Sequence, residues 1–184
     1  MKVAILAGSN RRNSASTRMA RYLESRLDSL GHSVRLFDLR ETPLPLFGPD
    51  DEEEPAAAQQ LSALMKDSDA IVLTSPEYHG TISGVLKNAL DYLSSEHFDG
   101  KAVLAVSAAG GAVGVSSLTH LQAIVRNLHG VNCPDWISVG GDQRRFDEEG
   151  VPESDRMRLR VEHVLGQFIR LAELLRNNPV ATFR

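Results

Sequence analysis

Pro76-Glu77-Tyr78-His79-Gly80 stands between the apolar run Ala70-Ile71-Val72-Leu73-Thr74 and an amphipathic stretch from Ile82 to Leu93. Read together, these segments are a buried strand that turns sharply and launches a helix. Pro76 fixes its own φ, and Gly80 tolerates backbone angles that other residues avoid, so the turn is tight. Tyr78 then sits at the tip, an aromatic plane at the carboxyl end of a strand. In a doubly wound sheet that end is where ligands bind. A planar ring at such a place suits stacking on a flat ligand.

The same alternation of strand and helix extends to both sides. Lys2 to Ala7 reads as strand one. A helix follows with Met19, Ala20, Leu23, Leu27 and Leu30 near helical spacing, and Gly31 ends it. Ser33 to Leu39 is strand two. The Pro-rich connection from Thr42 to Pro55 is too irregular for either element, and Pro55 opens a helix that runs to Lys66. Helix three carries Ile82, Val85, Leu86, Ala89, Leu90 and Leu93, a wide apolar stripe. Strand four, Ala102 to Val106, precedes a helix with Leu118, Leu121, Ile124, Val125 and Leu128. Strand five is Trp136 to Val139, and a glycine-containing charged loop leads to a last helix carrying Met157, Val161, Val164, Leu165, Phe168, Leu171 and Leu175. Five strands alternating with five helices predict a five-stranded parallel sheet covered on both faces, a three-layer, doubly wound α/β domain spanning residues 1–184.

Composition narrows the function. A chain of 184 residues is long enough for a core that needs no staples. Charged residues make up 24% and the net charge is −4, with no basic footprint for nucleic acid. The acidic run Asp50 to Glu54 reads as a solvated loop before a helix rather than a metal site. One cysteine, Cys133, excludes an internal disulfide framework and fits a reducing compartment. Nothing near it in sequence supplies a base, so it reads as a bland, partly buried thiol. The apolar run after Met1 is too short for a signal peptide or a membrane span, and no later stretch approaches spanning length. The expectation is a soluble, cytoplasmic protein that works on a small molecule.

Three loops leave the carboxyl ends of strands one, three and four, and each has unusual composition. The first, Gly8 to Thr17, is rich in hydroxyls and opens a helix. Ser14, Ser16 and Thr17, with free backbone N–H groups and the positive end of the helix dipole, can hold a phosphate dianion, and Arg11 can add a charge-assisted bond. The alternative is that Ser14 or Ser16 merely caps the helix. Capping needs one such residue, not three hydroxyls plus arginine. No Gly-Lys-Ser/Thr follows strand one, which excludes a nucleotide-hydrolysing P-loop, and Gly8 lacks the glycine partners of a dinucleotide fingerprint. The third loop, with Gly110, Gly111 and Gly114, lets backbone approach something flat, although a tight turn before a helix reads the same way in isolation. Beside an aromatic turn and a phosphate loop on one sheet edge it becomes the wall for a ring system.

These loops together outline a phosphorylated, planar ligand, and flavin mononucleotide (FMN) matches it. Backbone N–H groups of the second and third loops are expected to face the ring's carbonyl oxygens. No catalytic acid or base is required of the protein, because the redox chemistry belongs to the flavin.

The chain resembles the NAD(P)H-dependent FMN reductase family and, within it, the FMN-dependent azoreductase branch. Gly8-Ser9-Asn10-Arg11-Arg12-Asn13-Ser14-Ala15-Ser16-Thr17 is similar to the family's G-S-x-R-x-x-S phosphate loop. Residues 76–91, Pro-Glu-Tyr-His-Gly-Thr-Ile-Ser-Gly-Val-Leu-Lys-Asn-Ala-Leu-Asp, resemble its P-E-Y-N-x-x-x-P-G-x-L-K-N-A-x-D signature. Ser107 to Gly114 is similar to the glycine loop beside the flavin, and the likeness extends from Met1 to about Val139. Two residues depart from the pattern: His79 replaces asparagine and Ser83 replaces proline. His79 is either a titrating group near the cofactor or a hydrogen-bonder within the turn.

The resemblance implies a flavodoxin-like fold with strand order 2-1-3-4-5. It implies that Ser9, Arg11, Ser14, Ser16 and Thr17 grip the FMN phosphate. Pro76, Glu77, Tyr78 and His79 would then line the isoalloxazine, and Ser107, Gly110 and Gly111 would close the site. Asn88 would brace the preceding turn, whereas Lys87 and Asp91 at i,i+4 read as a surface pair. The implied reaction moves a hydride from NADPH or NADH to FMN and then electrons to a small-molecule acceptor: a quinone, azo compound, metal oxyanion or free flavin. Relatives are homodimers or homotetramers. The rivals are a flavodoxin-type electron carrier, which binds FMN without reacting with nicotinamide and tends to be more acidic, and a flavin-free binding module.

Overall fold

The computed structural model describes residues 1–178; the last part of the expected domain, residues 179–184, lies outside the described residues. The strands are β1 (Lys2–Ala7), β2 (Ser33–Asp38), β3 (Ala70–Pro76), β4 (Ala102–Ala108), β5 (Val131–Asn132) and β6 (Ile137–Val139). The helices are α1 (Ala15–Ser29), α2 (Ala56–Asp67), α3 (Gly84–Asp91), α4 (Val115–Asn127) and α5 (Asp155–Asn177). All strand pairings are parallel, and the order is β2-β1-β3-β4-β5, the flavodoxin-like arrangement.

The period of two along each strand divides the core into two clusters. Val3, Ile5, Val72, Leu104 and Val106 pack on one face against Met19, Leu23 and Leu27 of α1 and Val161, Leu165 and Phe168 of α5. Ala4, Leu6, Ile71, Leu73, Val103 and Ala105 pack on the other against Leu61 and Met65 of α2, Leu86 and Leu90 of α3, and Leu121 and Val125 of α4. β3 and β4 are buried along their whole lengths, as central strands of a sheet covered on both faces must be.

The predicted fifth strand, Trp136 to Val139, is found as β6, and an unpredicted two-residue strand, β5, precedes it. β5 pairs with Ala102 and Val103, and β6 with Val106 to Ala108, so both fragments lie along the same side of β4. Between them stands Cys133-Pro134-Asp135-Trp136. Pro134 has no N–H to give to a ladder, which accounts for the break. A two-residue strand has no periodicity, and so β5 left no mark in the sequence.

Two helix starts also differ from the sequence reading. Pro55 is the residue before α2 rather than a member of it. α3 begins at Gly84, because the Ser83 side chain accepts a hydrogen bond from the Leu86 N–H and caps it; Ile82 is buried ahead of the helix. Gly31, with φ +83°, turns the chain out of α1 as expected.

Candidate functional site

The first loop leaves β1 over the end of β3. The Gly8 N–H donates to the Thr74 carbonyl at 2.8 Å, and a Cβ on Gly8 would stand 2.6 Å from that oxygen and 2.8 Å from the Leu86 Cβ. Only glycine fits there. The loop continues to Asn13 in the left-handed region (φ +54°), a conformation asparagine tolerates, and reaches α1.

The start of α1 leaves its donors free. Ser14 stands at the N-cap, but its side chain makes no capping bond; its Oγ lies 2.8 Å from the Ser16 Oγ instead. Simple capping therefore does not explain these hydroxyls. Among the described residues, the amides of Ala15, Ser16 and Thr17 have no acceptor, and the buried Thr17 Oγ1 has no partner. Unspent N–H groups at the positive end of a helix, with an orphaned hydroxyl beside them, fit a phosphate.

The second loop is a two-residue hairpin. Tyr78 and Thr81 exchange backbone hydrogen bonds at 3.0 and 3.1 Å, and the turn residues His79 (φ +52°) and Gly80 (φ +75°) are both left-handed. That is the type I′ geometry. It leaves Tyr78 43% exposed at the tip. The His120 Nδ1 lies 2.8 Å from the Thr81 Oγ1, which ties the hairpin to α4.

The carboxylate of the half-buried Glu77 reaches across to α4. Its Oε2 accepts from both the N–H and the Oγ of Ser117, each at 2.9 Å. The N-cap of α4 is Gly114, which has no side chain to cap with, so Glu77 caps that helix from another strand. The Glu77 N–H donates to the Ala108 carbonyl at 2.8 Å. The backbone donors of Glu77 and Tyr78 are thus consumed within the protein, which corrects the expectation that the second loop offers them to a ligand. Free amides on this side belong to His79 and to Gly110, Gly111 and Ala112 of the third loop.

The third loop is held from below. The Ser107 Oγ donates to the Gly114 carbonyl at 2.8 Å, and the Gly114 N–H donates to the Ser138 Oγ at 2.8 Å. A Cβ on Gly140 would stand 2.2 Å from the Ala112 carbonyl oxygen, and the Gly141 N–H donates to the Gly111 carbonyl. By contrast, a Cβ on Gly110 or Gly111 would meet nothing within 4 Å. One surface of this loop is packed, and the other is open.

Between the loops lies a cleft of about 630 Å³, within the range of small-molecule sites. Six of the residues singled out in the sequence line it: Arg11, Ser14, Pro76, Glu77, Tyr78 and Gly110. Thr17 lines an adjoining groove of about 610 Å³ that shares Arg11 and Ser14 with the cleft. Ser9, Ser16 and Ser107 are buried behind these walls, with Ser9 accepting from the Arg11 N–H at 3.2 Å. His79 and Gly111 lie outside the cleft lining.

The sequence reading missed Ser117, Gly140, Arg144 and Arg145. Ser117 is 40 residues from Glu77, and nothing local marks the pair. Ser83 was noted only as a departure from the family pattern. Its Oγ donates to the Gly8 carbonyl at 2.5 Å as well as capping α3, and its N–H donates to the Ser75 Oγ at 3.0 Å. The substitution thus joins the first loop to the second. Asn88 does not brace the turn: it accepts from the Phe47 N–H at 2.8 Å and donates to the Pro45 carbonyl at 2.6 Å, and so clamps the Pro-rich connection. Lys87 and Asp91 form the expected pair at 2.5 Å. Cys133 is buried, and burial pushes its thiol pKa up, as befits an inert side chain. Among the described residues no cluster of His, Cys, Asp and Glu could hold a metal ion, and no helix is long and apolar enough to cross a membrane.

A parallel sheet in this order, with a cleft at its carboxyl edge between a donor-rich helix start and an aromatic turn, defines a flavodoxin-like α/β protein. Comparison with known proteins narrows the class. Residues 1–144 match the NADPH-dependent FMN reductase family, and the chain belongs to it. It is similar to an FMN-dependent NADPH-azoreductase of Staphylococcus saprophyticus, at 36% identity over 80% of this chain and 82% of that one. The corresponding Staphylococcus aureus protein (strain USA300) is 34% identical over 82% of each chain. Among solved structures, the flavoenzyme NAD(P)H:(acceptor) oxidoreductase of Paracoccus denitrificans superposes with a TM-score of 0.77 over 96% of this chain and 97% of that one, at 17% identity.

Proposed function

We propose that this protein is an FMN-dependent NADPH oxidoreductase whose cofactor sits in the cleft between the three loops. The observation that carries the reading is the joining, at one sheet edge, of the unspent donors of α1 to a cleft walled by Tyr78 and Gly110. In this reading Arg11, Ser14, Thr17 and the amides of Ala15 to Thr17 hold the phosphate. Ser9 and Ser16 set the loop from behind. Pro76 and Tyr78 wall the ring, Gly110 leaves room for its approach, and Glu77 and Ser107 fix the backbone around it. Two-electron chemistry, with a hydride in from the nicotinamide and electrons out to an acceptor, is what FMN supplies when bound.

The acceptors in this reading are small and varied: quinones, azo compounds, metal oxyanions or free flavin, with NADPH or NADH as donor. A homodimer or homotetramer is supported by exposed apolar side chains, Val113 and Val115 around the start of α4 and Leu46 in the Pro-rich connection. A cytoplasmic setting is supported by the lone reduced thiol.

The test is direct. FMN-reconstituted protein keeps its flavin absorbance, near about 450 nm, through gel filtration, and anaerobic NADPH bleaches it within seconds. Turnover then follows with a quinone and with an azo dye. A flavin that binds but is not bleached makes the protein an electron carrier of the flavodoxin type, and a chain that retains no flavin refutes the proposal outright.

A further inference from the structure

We infer that Arg144 and Arg145 form an anion subsite that selects negatively charged substrates over the open side of the cleft; the inference rests on the proposed function and adds the chemical class of its substrates. The two arginines lie in and just after a short 3-10 turn, Gly141–Arg144, beyond β6. Both line the same cleft as Tyr78, Pro76 and Gly110.

Their backbone is fixed. The turn is seated on the third loop through the Gly141 N–H to the Gly111 carbonyl and the close approach of Gly140 to Ala112. The Gln143 N–H donates to the Gly140 carbonyl at 3.1 Å, and the Arg145 carbonyl accepts from the Glu153 N–H at 3.1 Å. Their charges, however, are hardly used. Among the described residues, Arg144 donates through Nε only to the Gly141 carbonyl, at 3.2 Å. Arg145 reaches Asp142 at 3.5 Å, the two side chains being 70% and 98% exposed, and a pair so wet is worth little.

The charge balance of the cleft gives these arginines a purpose. The whole chain carries −4, yet the cleft holds Arg11, Arg144 and Arg145 against Glu77 and Asp142. The Glu77 carboxylate keeps its charge but is turned to Ser117, and Asp142 stands in solvent, so three positive groups face two negative ones. The phosphate loop accounts for Arg11 alone. A concave site with surplus positive charge on an acidic protein attracts anions by field focusing, and planar guanidinium forks suit phosphate, sulfonate and carboxylate oxygens. The same oxyanion chemistry is carried by the phosphates of a nicotinamide dinucleotide and by the acid group of an electron acceptor.

The experiment compares the FMN-loaded parent with Arg144→Ala/Arg145→Ala and with Arg144→Lys/Arg145→Lys, with FMN affinity of the apo-proteins as the check on folding. The acceptor arm measures KM for a neutral naphthoquinone and for its sulfonate. The donor arm measures the Kd of NADP+, read from the flavin spectrum without turnover, between about 20 and 200 mM salt. The double alanine variant is expected to raise KM for the sulfonate, the Kd of NADP+, or both, by about tenfold, the loss of one charge-assisted hydrogen bond, and to flatten the salt dependence. Lysines should restore part of the effect. A shift in the acceptor arm alone assigns the subsite to the acceptor, and one in the donor arm alone assigns it to the nicotinamide phosphates. Equal changes for neutral and sulfonated quinone with an unmoved NADP+ Kd overturn the inference while leaving the proposed function intact. A parent chain that binds no FMN overturns both.

Discussion

Replacing Glu77 by alanine tests whether the walls of the cleft are tied to one another. The carboxylate accepts two hydrogen bonds from Ser117, the third residue of α4, and the cap position of that helix is a glycine with nothing to offer. Removing it leaves a helix-start amide without its acceptor, at about 1–2 kcal/mol for a lost cap. It also removes a negative charge from the positive end of the helix, at about 0.3–1 kcal/mol. The sum is about 2 kcal/mol, or roughly 4–8 °C in Tm for a chain of this length. Glu77→Gln keeps an accepting oxygen and loses only the charge, so its decrease should be about a third as large. Thermal unfolding followed by circular dichroism, with urea denaturation as a second measure, reads both variants. FMN affinity should fall in the same order, because the second and third loops are no longer linked through Ser117. If both variants melt within about 1 °C of the parent, the capping role assigned to Glu77 is wrong.

Three further outcomes follow from the structure. Ser83→Ala removes the α3 cap and the donor to the Gly8 carbonyl, and should cost about 1–2 kcal/mol by urea denaturation; a loss below about 0.5 kcal/mol would contradict that role. Thr74→Val replaces a buried hydroxyl that has no partner among the described residues with a methyl of the same shape. It should raise stability by about 1 kcal/mol, and a clear loss would show that the hydroxyl is paired. His97 is buried between Ser62 and Ser94, and burial, as the leading cause, lowers its pKa in the folded protein. The unfolded chain therefore takes up a proton first as pH falls below about 6.5, and stability fully present above that value declines toward the lower, folded pKa. His97→Gln should show less of this decline between about pH 6.5 and 5 than the parent, and identical slopes would remove His97 from the account.

The sheet was legible because its central strands are buried on both faces and therefore continuous in apolar residues, while the helices flanking them carry stripes at a different period. Ala70 to Thr74 and Ala102 to Val106 could hardly be read otherwise, and the observed strands run two residues further in each case. The cleft was legible in part, since glycines, hydroxyls and an exposed tyrosine leave local signatures. What the sequence did not carry is direction. Nothing in Pro76-Glu77-Tyr78 says that the tyrosine faces the cleft while the glutamate crosses to α4, because that depends on a serine 40 positions away. Nor does a hydroxyl-rich loop say which hydroxyls face outward: Ser14 lines the cleft while Ser16 lies buried behind it. The additional short strand β5 was hidden because Val131 and Asn132 are too few to show a period.

The long-range ties have a common consequence for binding. Ser83 joins the first loop to the second, Glu77 joins the second to the start of α4, and Gly141 joins the third to the turn that bears Arg144. The ties through Glu77 and Gly141 use groups of residues that line the cleft, so the protein spends potential ligand contacts on holding its own walls. That exchange is favourable when the ligand is rigid and flat. A planar ring cannot adapt to a mobile wall, and every loop ordered on binding subtracts from affinity. Donors left unspent at the start of α1 are another matter, since in the proposed placement of FMN they face its flexible, charged end, where a few strong bonds can be made without fixing a shape. The division between a braced end and an open end is thus the division a phosphate-tailed ring requires.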